Sequence, residues 1–209
     1  PGKWFPINKD FADAIGIVEQ SASQDQSEQI ASCVHIHPKF VEASDGRQIC
    51  RYRLKTGVSG SFLVRRDSIK FITTIELTEM AETENCLHFR GASGLVVSAR
   101  LYKDEYQDMG PALKEEGEMI VLPKSLKDVM EKVEIITQVD KDNNYASFEL
   151  EENQITVTGV STAGKYKKKF KAKYVGKPLK FRVPPKLMIE VLRRHSDVQI
   201  TKTLRMKIS

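Results

Sequence analysis

The sequence is poor in cysteine. Its three cysteines, Cys33, Cys50 and Cys86, lie far apart and form no C-x-x-C pair, which argues against a disulfide framework or a thiolate zinc site. Each sits in an apolar, strand-like context, so buried thiols in a reducing compartment, the cytoplasm, are expected. No apolar run approaches the roughly 20 residues of a membrane-spanning helix, and no secretory signal peptide is visible, so no membrane partner is expected. The chain opens on Pro1 rather than Met. This leads to the expectation of a processed or excised piece from which an upstream region is missing.

Catalytic signatures are also missing. Ser, His and Asp residues occur, but no nucleophile elbow does. The four histidines are few and scattered: His88 and His195 are isolated, and only His35 and His37 share a strand face. An H-x-H pair can begin a metal site, but no Cys or carboxylate cluster lies at ligand spacing and Pro38 follows at once. A solvated strand end is the expected role. Asp45-Gly46 reads as a turn between strands. No acid–base pair assembles, so no enzyme, cofactor or metal is called for.

Apolar residues make up 40% of the chain and charged residues 29%, the profile of a globular protein. Its 209 residues fit one large domain or two small ones. The formal net charge is +5 and the pI about 9.0, a modest pointer to an anionic partner such as nucleic acid.

One stretch resembles a phosphate cradle. "GVSTAGKYKKK", Gly159 to Lys169, spells G-x-x-x-x-G-K and then Tyr166, where a working loop needs Ser or Thr. Such a loop must also lead into a helix N-terminus. Here Lys167, Lys169, Lys171 and Lys173 alternate with Lys168, Phe170, Ala172 and Tyr174, the period of a strand. The stretch is expected to be a hairpin turn followed by a lysine-faced strand, with Gly164 available for a positive φ.

An internal repeat organises the chain. "INKDFADAIGIV" (Ile7 to Val18) parallels "LPKSLKDVMEKV" (Leu122 to Val133) at an offset of 115. Phe11, Ala14, Ile15 and Val18, like Leu126, Val129, Met130 and Val133, fall on one helical face. The same offset sets "CVH" against "FEL" and "FVEAS" against "ITVTG", all strand-like. "SFLVRRDSIKFI" then matches "KFRVPPKLMIEVL", each ending a strand at Val and opening a helix. Pro184 and Pro185 suit that opening, since early helix positions need no N–H partner. The boundary falls in the Gly/Pro/charge stretch from Met109 to Gly117. Residues 1–110 and 117–209 are the expected domains. The first ends in three strands. The second stops after two, so a missing or disordered last strand is expected there.

Two helices on mostly antiparallel strands, repeated in tandem, is the plan of DNA sliding clamps. The residues resemble the bacterial β sliding clamp, the DNA polymerase III processivity factor. "VEASDGRQI", "SFLVRRDSI" and "ARLYKDEYQDM" resemble its middle domain and exit linker, and Phe148 to Leu192 is similar to its third domain. The resemblance implies an α+β fold of tandem clamp domains, each with two helices packed on antiparallel sheets. It implies a non-catalytic homo-oligomer, a head-to-tail dimeric ring when full length. It also implies two kinds of partner: duplex DNA, bound without sequence preference, and a polymerase and clamp loader that dock short linear peptides.

Two surfaces follow. A non-specific DNA track needs positive charge facing phosphates rather than base-reading groups. The helical segments offer Lys9, Arg65, Arg66, Lys70, Lys124, Lys127, Lys132, Lys186, Arg193 and Arg194. By resemblance, one wall of the peptide pocket falls to Ile30, Ser44, Gly46, Arg47, Ile49, Asp104 and Met109. Asp104 and Arg47 depart from the smaller residues usual there. Two other readings stand beside the clamp: a basic α+β nucleic-acid-binding module that forms no ring, and a metal-dependent enzyme using His35 and His37.

Overall fold

The computed structural model describes residues 3–140, 144–194, 197–201 and 206–207. The chain divides into two compact units, Pro1–Met109 and Gly110–Ser209. The first runs β1 (Trp4–Pro6), α1 (Phe11–Glu19), β2 (Cys33–His37), β3 (Phe40–Ser44), β4 (Ile49–Arg53), β5 (Phe62–Arg65), α2 (Arg66–Ile72), β6 (Leu77–Glu82), β7 (Cys86–Gly91) and β8 (Val96–Tyr102). The second begins with a short helix, α3 (Gly110–Lys114), inside the stretch expected to be a plain linker. It continues as β9 (Gly117–Val121), α4 (Leu126–Thr137), β10 (Ala146–Glu151), β11 (Gln154–Ser161), β12 (Gly164–Lys171), β13 (Leu179–Val183), α5 (Pro185–Arg194), β14 (Asp197–Thr201) and β15 (Met206–Lys207). Apart from α3, the order of elements in the second unit repeats that of the first as far as β15. The fold is α+β, with entirely antiparallel strand pairing among the described residues.

In the first unit, eight strands form one sheet in the order β1-β6-β7-β8-β5-β2-β3-β4. β8 joins its two halves, pairing with β7 on one side and β5 on the other. The second unit has two sheets, β12-β11-β10-β13 and β15-β14-β9. Among its described residues, no strand links β15 to β13 as β8 links β7 to β5.

The predicted helical stripes close the cores. Phe11, Ala14, Ile15 and Val18 are fully buried, packing α1 onto β2, β3 and β4. Leu126, Val129, Met130 and Val133 do the same for α4 over β10, β11 and β12. In the first unit α2 lies beside α1, and in the second α5 lies beside α4. Phe148 and Phe181, on adjacent strands, stack with ring centroids 5.0 Å apart.

The strand part of the repeat needs correction. On β2 the inward residues are Val34 and Ile36, and on β3 Val41 and Ala43. On β10 they are Ala146, Phe148 and Leu150, and on β11 Ile155 and Val157. An offset of 115 would set outward His35 against inward Leu150. Successive strand residues face opposite ways, so a one-residue slip exchanges the faces. The strands therefore match only at even offsets, such as the 114 from Val34 to Phe148, while the helices keep 115. Gly159 is accordingly not at the turn. It lies within β11 under α4, where a Cβ would sit 2.7 Å from Val133 Cγ1. The turn is at 162–163, where Ser161 pairs with Gly164 and Gly164 takes φ +143°. The expected hairpin stands, with Gly164 at a positive φ, and no helix N-terminus follows it.

Candidate nucleic-acid interface

Nine of the ten cations expected to face DNA fall into three groups. Lys70 on α2 and Lys132 on α4 are exposed, as are Lys9 and Lys124. These four make no ion pair among the described residues. Lys9 and Lys124 are not on helices, as the sequence suggests, but in the turns that lead into α1 and α4. Lys127, Lys186 and Arg193 are also solvent-facing, each beside one carboxylate. Lys127 Nζ lies 3.9 Å from Glu131 and Lys186 Nζ 3.9 Å from Glu134, and Arg193 pairs with Glu190. Exposed pairs of this kind are weak and yield readily to a phosphate. Arg194 ends α5, and its side chain lies outside the described residues.

Arg65 and Arg66 are committed elsewhere. Arg65 closes β5 rather than sitting on a helix. Its guanidinium donates to Ser32 Oγ at 2.6 Å and to the Gln26 carbonyl, and it lies over the Tyr102 ring. Arg66, in the first turn of α2, donates from Nε to the buried carboxylate of Glu19 at the end of α1. The Lys186–Glu134 contact in the second unit likewise ties the first turn of one helix to the body of the other. In the first unit this tie is sheltered, so breaking it would strand Glu19 in a poorly hydrated site.

The residues expected to form the peptide wall gather around the β3–β4 hairpin only in part. Ser44 and Ile49 are cross-strand partners that close it. Gly46 takes φ +80° in the turn, with open space where a Cβ would point. Asp45 Oδ1 accepts from the Arg47 and Gln48 amides at 2.9 Å, holding the turn and leaving Arg47 exposed. Ile30 is 38% exposed and Ile49 half-buried, so neither is plain core. Asp104 is exposed, and its charge helps to raise the Cys33 thiol. Met109 is half-buried at the end of the first unit.

Beside this hairpin lies a cluster the sequence did not disclose. Glu42, only 2% exposed, faces away from the core on β3. His35 Nδ1 lies 2.8 Å from its Oε1, and Arg51 donates to its Oε2 from Nε at 2.7 Å. The Tyr106 ring covers His35 at 4.7 Å, and Phe40 stacks on His37 at 4.2 Å. His35 is therefore no solvated strand end. Its carboxylate partner is seven residues away in sequence but directly opposite across the β2–β3 pair. The H-x-H spacing gave the only hint. No group of three metal-ligating side chains occurs among the described residues. Burial pushes the Tyr106 phenol well above its ordinary value, with Glu42 adding to the effect. Burial likewise pushes the Cys33 thiol up to about 11. Cys50 and Cys86 are only half-buried, contrary to the expectation for all three thiols, and none of the three is in a disulfide.

No family model and no curated protein matches the sequence. Solved structures do match. The DNA polymerase III beta chain of Streptococcus pneumoniae TIGR4 superposes with a TM-score of 0.80 at 16% identity, covering 100% of this chain and 59% of that one. The DNA polymerase III beta subunit of Thermotoga maritima gives 0.78 at 18% identity, covering 96% and 59%. The sliding clamp of Pseudomonas aeruginosa bound to griselimycin gives 0.78 at 12% identity, covering 96% and 58%. At these identities the likeness is one of fold: this chain has the tandem α+β clamp fold. It spans less than two thirds of the length of those proteins.

Proposed function

We propose that this chain supplies two domains of a sliding clamp, a non-catalytic processivity factor that tethers a replicative polymerase to duplex DNA. The clamp fold across nearly the whole chain carries this reading. The two units correspond to the middle and third domains of a longer protein that closes as a head-to-tail dimeric ring in the cytoplasm. Affinity for DNA then comes from screened contacts between phosphates and flexible cations, which let the ring slide. Lys9, Lys70, Lys124, Lys127, Lys132, Lys186, Arg193 and Arg194 serve this role. Arg65 and Arg66 leave it, because each already holds a protein acceptor. Ile30, Ser44, Gly46, Ile49 and Met109 form the first unit's wall for a polymerase or loader peptide. Apolar area comes from the isoleucines and Met109, and Gly46 admits a close backbone. Arg47 and Asp104 set its charge preference.

Primer extension on primed circular DNA, with the full-length protein and its cognate polymerase and loader, tests the reading. Products should lengthen when the protein is added. Unchanged product length would remove the clamp function. The solution mass of the full-length protein separates this reading from a module that forms no ring: a clamp is oligomeric and the module monomeric.

A further inference from the structure

The lysine-rich strand that first looked like a phosphate cradle remains outside the clamp reading. β12 is an edge strand of the four-stranded sheet. Lys165, Lys167, Lys169 and Lys171 pair with Val160, Thr158, Thr156 and Gln154 of β11. The intervening β11 residues Ile155 and Val157 point into the core, so these four lysines project from the opposite, outer face, and all four are exposed. On the other edge strand, β13, Lys180 and Arg182 project from the same face and are exposed. Within the four strands, only Glu149 and Glu151 on β10 oppose these six cations. Glu149 is held below the usual carboxylate range by its contact with Lys180, with Lys167 and Lys169 adding to the effect. The lysines of β12 make no ion pair among the described residues.

The chemistry of this face selects its partner. Protein interfaces draw their affinity from buried aromatic and apolar anchors, and within these strands the single exposed large apolar side chain is Val160. No strand residue of the outer face is aromatic, so bases have no ring to stack upon, as single-strand binding requires. What remains is a flat array of point charges. Alternate strand residues advance about 6.8 Å, two base-pair rises of duplex DNA. Charged side chains on edge strands also guard against edge pairing, but here six cations share one outer face with only two carboxylates in the four strands. The corresponding face of the first unit is different: Glu42 neutralises Arg51, and Tyr106 covers the site.

We infer that the outer face of the β12-β11-β10-β13 sheet is a second, sequence-independent binding surface for the phosphate backbone of duplex DNA, separate from the helical cations. Fluorescence anisotropy with a 30-base-pair duplex tests it on the whole chain, across a salt series. The variant K167Q/K169Q/K171Q should raise Kd about tenfold at low salt and make the slope of log K against log salt shallower by about 0.9 for each phosphate no longer neutralised. K180Q/R182Q, on the other edge strand, should shift both quantities in the same direction, which guards against a local folding fault in β12. Both variants must keep the wild-type circular dichroism spectrum and melting curve. Unchanged affinity and slope in the folded variants would overturn the inference. So would weakening confined to phosphatidylserine vesicles or polyglutamate with duplex binding intact. The inference does not depend on ring closure: processivity tests the clamp, and these variants test the sheet.

Discussion

Glu42 shows how one buried charge can organise a surface. Its two oxygens are divided between His35 and Arg51, and the aromatic rings of Tyr106 and Phe40 shelter the group. Removing a buried ion's partner leaves an uncompensated charge. Glu42→Ala should therefore destabilise the first unit by about 3 kcal/mol, read from urea denaturation, and a change below about 0.5 kcal/mol would show that solvent already satisfies Arg51 and His35. Cys33 gives a pH signature. Its thiol is raised from 9.0 to about 11 in the folded state, chiefly by burial. The folded state thus holds its proton more tightly than the unfolded chain does. The stability this contributes is complete below about pH 9 and is lost as pH climbs toward 11. The urea midpoint should fall across that interval, and Cys33→Ala should flatten the fall. An equal fall in both proteins would assign it to other groups, Tyr106 first, since that phenol is raised in the same sense.

At the scale of elements, two ties between helix and framework are open to test. Arg66→Ala breaks the α1–α2 link and strands Glu19, at a cost of about 2 kcal/mol in unfolding free energy. It should leave duplex affinity unchanged, whereas K70A/K132A/K186A should weaken binding and make its salt dependence shallower. Weaker DNA binding by a folded Arg66→Ala protein would return that residue to the DNA track. Gly159→Ala would push a Cβ to 2.7 Å from Val133 Cγ1. Overpacking of this kind should destabilise the second unit by about 2 kcal/mol, read as a lowered melting temperature. The helices were legible because their apolar stripes recur at 3.6 residues and all eight stripe residues are buried. The strand register was not. Alternation tells which residues share a face but not which of two faces turns inward, and that choice was set by the helices packed above. The Glu42 cluster was hidden for a related reason. Its members meet across strand pairs, and the pairing register is a property of the sheet.

For the whole molecule, the proposed clamp function rests on a tandem fold shared with polymerase clamps and on cations left available around each helix pair. A topological tether makes a distinctive prediction, because a ring is held by the continuity of the DNA rather than by affinity. The most direct measurement is retention of the full-length protein, loaded onto nicked circular duplex and washed in moderate salt, before and after a single restriction cut. A ring should stay on the circle for many minutes and leave within the time of the cut once the DNA is linear. Equal retention on circular and linear DNA would contradict the topological tether, and would mean that the protein holds DNA through surface charge alone.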